Sequence, residues 1–438
     1  MKKLIFSVAL FATLFAMGVS VSSCSNEDEL DTVAVRADNS ITVSGVLTGT
    51  HNWSGTVYLD GKVFLKDGTI NIAAGTRIIG MEKSGEGKAS ALIITKTGTI
   101  NAVGTASSPI VFTSAGSGKI WGGLVLLGTG AINQTEPQKI EGITEADVPA
   151  EVDITYGTPA QGKSESEINA INSVSSGKLQ YVRVEYAGQE IGESNELNAF
   201  TFGAVGHNTL VDHCQAYYGE DDGFEFFGGD VNCKYLVSTA TDDDAFDFDF
   251  GYNGKIQFAV ATTDASLKYS KDPNGIECDN DGESSHFTPF THPVLSNLTI
   301  VGTQNGKTST GANYKSAADF RRNCQFTLVN SILYGYPTGI LCETSNSSVL
   351  KNNVVNGVDA AFSGITGDGN IQAASGDAIG LTSPWGSYKK PSDLKPKSAD
   401  TKTGADFAGL DGSWFETVAY KGAVAPTGTN WLTQNWIK

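Results

Sequence analysis

Apolar positions along this chain come in short runs cut by glycine turns. From Ile41 to Gly128 the runs include Thr56-Val57-Tyr58-Leu59, Val63-Phe64-Leu65, Thr76-Arg77-Ile78-Ile79, Ala91-Leu92-Ile93-Ile94, Pro109-Ile110-Val111-Phe112 and Leu124-Val125-Leu126-Leu127. Runs of this length, rich in β-branched side chains and bounded by Gly, predict strands, and the near absence of a helical period excludes an α/β fold. A sandwich, a barrel and a solenoid remain.

Internal similarity separates them. Asp222-Gly223-Phe224-Glu225-Phe226-Phe227-Gly228 returns 22 residues later as Asp244-Ala245-Phe246-Asp247-Phe248-Asp249-Phe250. Leu210-Val211 and Val231 open the preceding strands at a similar spacing. A period just over twenty residues is one coil of a parallel β-helix, whose coils stack about 4.8 Å apart and cannot bury their inner faces alone. The expected fold is therefore all-β, a right-handed parallel β-helix solenoid over residues 41–364. Later coils appear at Leu298-Thr299-Ile300-Val301, Gln325-Phe326-Thr327-Leu328, Ser331-Ile332-Leu333-Tyr334 and Val349-Leu350-Lys351-Asn352. Alternation along a strand puts Phe224, Phe226, Phe246, Phe248 and Phe250 inside, and Glu225, Asp247 and Asp249 on the outer surface.

Two stretches break the pattern. Residues 131–176 are polar, carry Pro137, Pro149 and Pro159, and are expected to bulge from one coil as an insertion. Residues 365–438 lose the strand signal, contain Trp385, Trp414, Trp431 and Trp436, and are expected to fold over the open end as a cap, since a bare last coil leaves strand edges free to aggregate.

The amino terminus places the chain in a cell envelope. Residues 1–23 carry Lys2 and Lys3, an apolar run from Leu4 to Val19 and the small residues Val21-Ser22-Ser23 before Cys24. The run is too short to span a membrane and ends at a processing site, so it reads as a lipoprotein signal peptide. Cys24 is the expected lipidation site, and an acyl anchor contributes about 0.8 kcal/mol per buried methylene, so the membrane is reached without a spanning helix. Residues 24–40 form an acidic tether that opens Ser25-Asn26-Glu27-Asp28-Glu29 and contains Asp31-Thr32-Val33, similar to a short O-glycosylation motif.

Charge narrows the partners. The full chain has a formal charge of −18, and loss of Lys2 and Lys3 with the signal peptide makes it −20. Nucleic acid and anionic lipid surfaces need positive fields and are excluded as partners. With Cys24 lipidated, Cys214, Cys233, Cys278, Cys324 and Cys342 are odd in number, so at least one stays a thiol; buried small residues and disulfides are both open for the others.

The richest candidate site is acidic. If the 22-residue offset is one coil, Glu225 and Asp247 stack about 5 Å apart, with Asp249 beside them and Asp221, Asp222, Asp242, Asp243 and Asp244 crowding the turns before. Carboxylates so close repel one another, and a hard cation such as Ca²⁺ or a hydroxyl-rich ligand would relieve the cost. A solvated acidic face with turn-forming aspartates is the competing reading. The expected ligand-binding set is Asp221, Asp222, Glu225, Asp244, Asp247 and Asp249. A second candidate, Glu277-Cys278-Asp279-Asn280-Asp281-Gly282-Glu283, resembles the start of a calcium loop, with Glu277, Asp279 and Asp281 as metal ligands. Its twelfth position is Thr288 and not the usual Glu.

Two further motifs are weaker. Gly157-Thr158-Pro159-Ala160-Gln161-Gly162-Lys163-Ser164 fits the phosphate-loop pattern, yet that loop works only where it opens a helix in a parallel α/β sheet. Val211-Asp212-His213-Cys214 followed by Asp222-Gly223 resembles a short motif of pectate lyases, β-helical enzymes that use a calcium cluster and a basic residue, usually Arg. Arg321 and Arg322 are present without that family's Arg spacing.

On a larger scale the chain resembles a family of β-helical surface lipoproteins widespread in Bacteroidetes. The residues that carry the likeness are Asn71-Ile72-Ala73-Ala74-Gly75-Thr76, Trp121-Gly122-Gly123-Leu124, Leu179-Gln180-Tyr181-Val182-Arg183-Val184-Glu185-Tyr186, Asp221-Asp222-Gly223-Phe224-Glu225-Phe226-Phe227 and Tyr420-Lys421-Gly422-Ala423. The acidic stretch after Cys24 also resembles the export tag that carries lipoproteins of that phylum to the outer face of the outer membrane. The resemblance implies the fold and a surface location, and no settled activity. Three functions are carried forward: a non-catalytic module binding a glycan or other extracellular ligand, with an outer-membrane transporter as a neighbour; a polysaccharide lyase or glycoside hydrolase using the acidic rungs; and an adhesin or structural surface protein. A basic side chain beside Glu225 and Asp247 would favour the second.

Overall fold

The computed structural model describes residues 34–35, 40–81, 89–116, 121–190, 196–269, 272–307, 314–344, 347–385, 389–390 and 392–438. Cys24, the signal peptide and nearly all of the tether lie outside these residues. No helix among the described residues is long and apolar enough to cross a membrane.

Twenty-four strands form one continuous sheet wound into a right-handed parallel β-helix, the hand that parallel crossovers take. Each coil contributes to three faces. The first face stacks Thr56–Asp60, Arg77–Met81, Ile110–Ser114, Val182–Glu185, Cys214–Tyr217, Leu236–Thr239 and Ala259–Thr262. The second stacks Lys62–Leu65, Ser90–Ile94, Trp121–Leu127, Phe200–Gly203, Phe224–Phe227, Phe246–Asp249, Glu277–Cys278 and Ser316–Phe320. The third stacks Gly68–Ile72, Gly98–Val103, Gly177–Gln180 and their successors to Val349–Lys351.

The repeat appears as stacked coils. Phe224 lies opposite Phe246 and Phe226 opposite Phe248 in parallel register, with ring centroids 5.6 and 5.3 Å apart inside the cylinder. The preceding strands keep the same 22-residue offset, since Val211 pairs with Cys233 and not with Val231. Phe250 departs from expectation. It sits at φ 51° just past the strand, which turns its ring outward onto Phe227, 5.6 Å away. Cys214, Cys233, Cys278, Cys324 and Cys342 are buried thiols.

Outward positions on two faces are apolar as well, and this explains the two interruptions. Phe64, Ile93, Val125 and Leu127 on the second face are covered by Ile132, Ile140, Ile143, Val152, Ile154 and Tyr156 of the insertion. The phosphate-loop pattern lies within this cover, where Ser164 merely caps a seven-residue helix, Glu165–Ile171, by a capping box with Glu167. Val237, Val260, Val301, Ile332, Tyr334 and Val354 on the first face are covered by Ile379, Leu381, Leu394, Val424, Leu432, Trp436 and Ile437.

The C-terminal segment is thus a strap along the flank, not a lid over the open end. Its route is fixed by a ladder of outward aromatics. Tyr181, His213, Tyr235 and Phe258 each adopt φ between 51° and 60°, a left-handed kink between the third and first faces, and stack with centroids 4.5, 4.4 and 5.1 Å apart. Trp436 and Trp431 meet this ladder edge-on. Outward amides hold the strap's backbone: the Gln257 amide donates to Glu416 O and accepts from Glu416 N, Asn330 does the same with Asp406, and Gln215 accepts from Lys438 N. His213, the centre of the pectate-lyase-like motif, is a rung of this covered ladder.

Candidate functional site

Beyond the insertion, the second face turns from apolar to acidic on its outer side. Thr201, Glu225, Asp247, Glu277 and Asp319 occupy the same outward position on five successive coils, each paired in register with the next. Four stacked carboxylates result. Asp249 stands one outward position further along, opposite Phe227. The two acidic candidates seen separately in the sequence therefore meet in one site through Glu277.

At the turn before these strands a second ladder forms. Asp222 accepts from Asp244 N at 2.8 Å, Asp244 accepts from Asn274 N at 2.6 Å, and Asn198 accepts from Asp222 N at 3.2 Å. Each side chain thereby anchors the backbone of a neighbouring coil. Asp222 and Asp244 are turn-forming residues, and the same carboxyls face the acidic column.

The acidic face is recessed in a cleft, with Asp243, Asp247 and Asp249 half-buried. Gln138, Lys139, Glu141 and Tyr156 of the insertion wall it on one side, and Arg321 and Arg322 close it on another, leaving a cleft of about 720 Å³. Asp221, Asp222, Glu225, Asp244 and Glu277 are all less than 9% exposed, and Glu225 is only 6% exposed. Three groups of carboxylate oxygens lie within 4.8 Å of one another: Asp221 with Asp222 and Asp243, Asp222 with Glu225 and Asp247, and Asp244 with Asp247 and Glu277. Burial, reinforced by the neighbouring negative charges, pushes Asp222, Glu225, Asp244, Asp247 and Asp249 well above the usual carboxylate range. Burial likewise lifts Asp319 to about 6 and Glu277 to about 8, the latter against the pull of Arg321.

Two arginines sit at the Glu277–Asp319 end of the column. Arg321 donates from Nε to Asp279 Oδ1 at 3.0 Å and pairs through its terminal nitrogen with Glu277, while Arg322 pairs with Asp279 at 2.7 Å. These carboxylates hold Arg321 above the ordinary arginine value despite its burial. Oδ1 of Asp247, in the middle of the column, is buried with no hydrogen-bond partner, as is Oδ1 of Asp319 at the arginine end.

The proposed calcium loop is arranged differently from a calcium loop. Glu277 is in a strand, Asp279 is taken by the two arginines, and Asp281 accepts from the backbone N of Glu283 and Ser285 at 3.0 and 2.9 Å. Only Glu277 of the three belongs to a group that could share an ion.

The model of the pectate-lyase like beta helix domain matches residues 45–382. The chain belongs to that family. The match runs from the first coils to the start of the strap, so the insertion, the acidic column and both arginines fall within the family domain. No curated protein matches this β-helix, and no solved structure does.

The donor set suits a hard divalent cation. All the candidate ligands are oxygens, and Ca²⁺–oxygen distances of about 2.3–2.6 Å place ligands on opposite sides of one ion roughly 5 Å apart. The 4.8 Å spread within each group meets that requirement.

Proposed function

We propose that this chain is a non-catalytic, surface-tethered β-helical module that loads Ca²⁺ into the acidic cleft and through it captures an extracellular anionic or hydroxyl-rich glycan. The observation that carries the reading is the column Glu225, Asp247, Glu277 and Asp319, buried except for the half-buried Asp247, whose Oδ1 is itself buried and has no partner among the described residues. A cation would satisfy that oxygen and neutralise the repulsion, and it would leave coordination positions open for ligand oxygens toward the cleft. Cys24 after the signal-peptide-like segment, followed by the acidic stretch Ser25 to Glu29, supports the reading of a lipid anchor on the outer membrane facing outward.

Polysaccharide cleavage is the second reading, and Arg321 and Arg322 beside Asp247 and Glu277 are the observation in its favour. The charge state of Arg321 argues the other way. A lyase base must shed its proton near the working pH, and Arg321 is held protonated by Glu277 and Asp279. Incubation with polygalacturonate tests both readings. The proposal expects retention of the polymer in Ca²⁺, release by chelator and no unsaturated uronate product. Formation of that product would establish the lyase, and failure to retain the polymer in Ca²⁺ would remove uronate glycans as ligands.

A further inference from the structure

A second cleft, of about 520 Å³, lies where the strap crosses the turns that follow the first face. Its walls include Tyr218, Asp264 and Trp385, and its floor includes Thr239, Thr262 and Thr263. The volume falls in the range of small-ligand sites, roughly 300–1,000 Å³. We infer that this cleft is a subsite for one or more neutral sugar rings, independent of the acidic cleft and of Ca²⁺.

The side chains are held ready for such a ligand. Tyr218 donates its hydroxyl to Asp264 Oδ2 at 2.6 Å and packs against Tyr217 with centroids 4.6 Å apart. Asp264 Oδ1 accepts from Ser266 N and Oγ at 2.9 and 2.7 Å. Burial opposes ionisation of Asp264, but these bonds outweigh it and hold the carboxyl below the usual range. Trp385 is fixed from two sides: its indole donates to Asp377 at 2.6 Å, and its ring meets Tyr334 edge-on at 5.0 Å. Tyr334 in turn donates to Pro384 O at 2.6 Å, so the strap's side of the cleft is bolted to the solenoid.

Two observations select the ligand chemistry. No Lys, Arg or His lines the cleft among the described residues, and Asp264 is an ionised acceptor, so an anion is disfavoured while hydroxyl donors are welcome. Half-buried aromatic surface beside hydroxyl-binding groups matches a pyranose, which has an apolar C–H face and a polar rim.

The test uses the full chain in excess EDTA, which silences any cation site, with maltohexaose, cellohexaose and xylohexaose as probes in isothermal titration calorimetry. The inference expects saturable binding of at least one probe, weakened at least tenfold by Trp385→Ala and by Asp264→Asn, and unchanged by Glu225→Gln with Asp247→Asn. If Trp385→Ala fails to fold, Asp264→Asn alone decides. Saturable binding of none of the probes overturns the subsite, as does binding that survives Asp264→Asn or is lost with the acidic pair. A null result here leaves the Ca²⁺ reading of the acidic cleft standing, because that site is tested without EDTA.

Discussion

Replacing Glu225 by Gln and Asp247 by Asn together removes two charges from the centre of the acidic column while keeping shape and hydrogen-bonding capacity. The structure places both residues in one group of oxygens within 4.8 Å, with Asp222 as the third member. A cation that binds only the folded chain stabilises it by about 2.7 kcal/mol at 100 times its dissociation constant. For 438 residues, an unfolding entropy of roughly 2.1 cal/mol/K per residue gives about 0.9 kcal/mol/K, so that stabilisation raises the Tm by about 3 °C. Each further tenfold of Ca²⁺ adds about 1.5 °C on the same basis. The assay is a thermal melt of both proteins across a Ca²⁺ series at pH 8, with a chelator control. The wild type should rise in proportion to the logarithm of concentration, and the double variant should show a flat response from a higher metal-free Tm, because the repulsion is gone. A flat wild type, or a variant that keeps the slope, refutes the reasoning.

Other outcomes follow from the same structure. Folded-state values of Glu225, Asp247 and Glu277 lie above their unfolded ones, so the folded protein binds more protons between the two; the metal-free stability these three contribute should be full below their unfolded values of about 4 and be lost as pH rises toward about 8, where Glu277 titrates, measurable as the difference between wild type and the Glu225→Gln, Asp247→Asn, Glu277→Gln variant in denaturant melts across pH. Because Ca²⁺ displaces those protons, its binding near pH 6 should release them to a weak buffer, and calorimetry in two buffers of different ionisation enthalpy reads the number. Phe246→Ala should open a cavity between Phe224 and the next coil and cost about 3–5 kcal/mol in chemical denaturation. Arg321→Gln leaves the buried Glu277 without its cationic partner while Asp279 keeps Arg322, and should cost about 3–5 kcal/mol in chelator, with part of the loss restored by Ca²⁺. Cys24→Ala should move the protein out of the membrane fraction, and unchanged retention there would remove the anchor.

The coils were legible where their spacing was undisturbed. Phe224 and Phe246 stand 22 residues apart with no insertion between them, so their stacking followed from the offset and the pleat. Glu277 and Asp319 continue the same outward column, but loops widen the next two offsets to 30 and 42 residues, and a fixed period passes over them. What covered the outer face was also hidden. Ile93, Val125, Val237 and Val260 break the alternation expected of a strand with one wet face, and that continuous apolarity was the available signal that both sides are buried. Without a known cover, the sequence left a ligand site and a solvated face both open for Glu225 and Asp247, and the insertion walls one side of the cleft they line. The kinked ladder of Tyr181, His213, Tyr235 and Phe258 had no local signature, since none is a glycine or asparagine.

The central claim is that the acidic column holds a cation. Crystals of the full chain grown in Ca²⁺ would test it through the anomalous scattering of the ion. A peak within about 2.3–2.6 Å of carboxylate oxygens of Asp222, Glu225 and Asp247, or of Asp244, Asp247 and Glu277, is the predicted result. Density with those residues ordered, Ca²⁺ in the crystal and no anomalous peak in the cleft would contradict it.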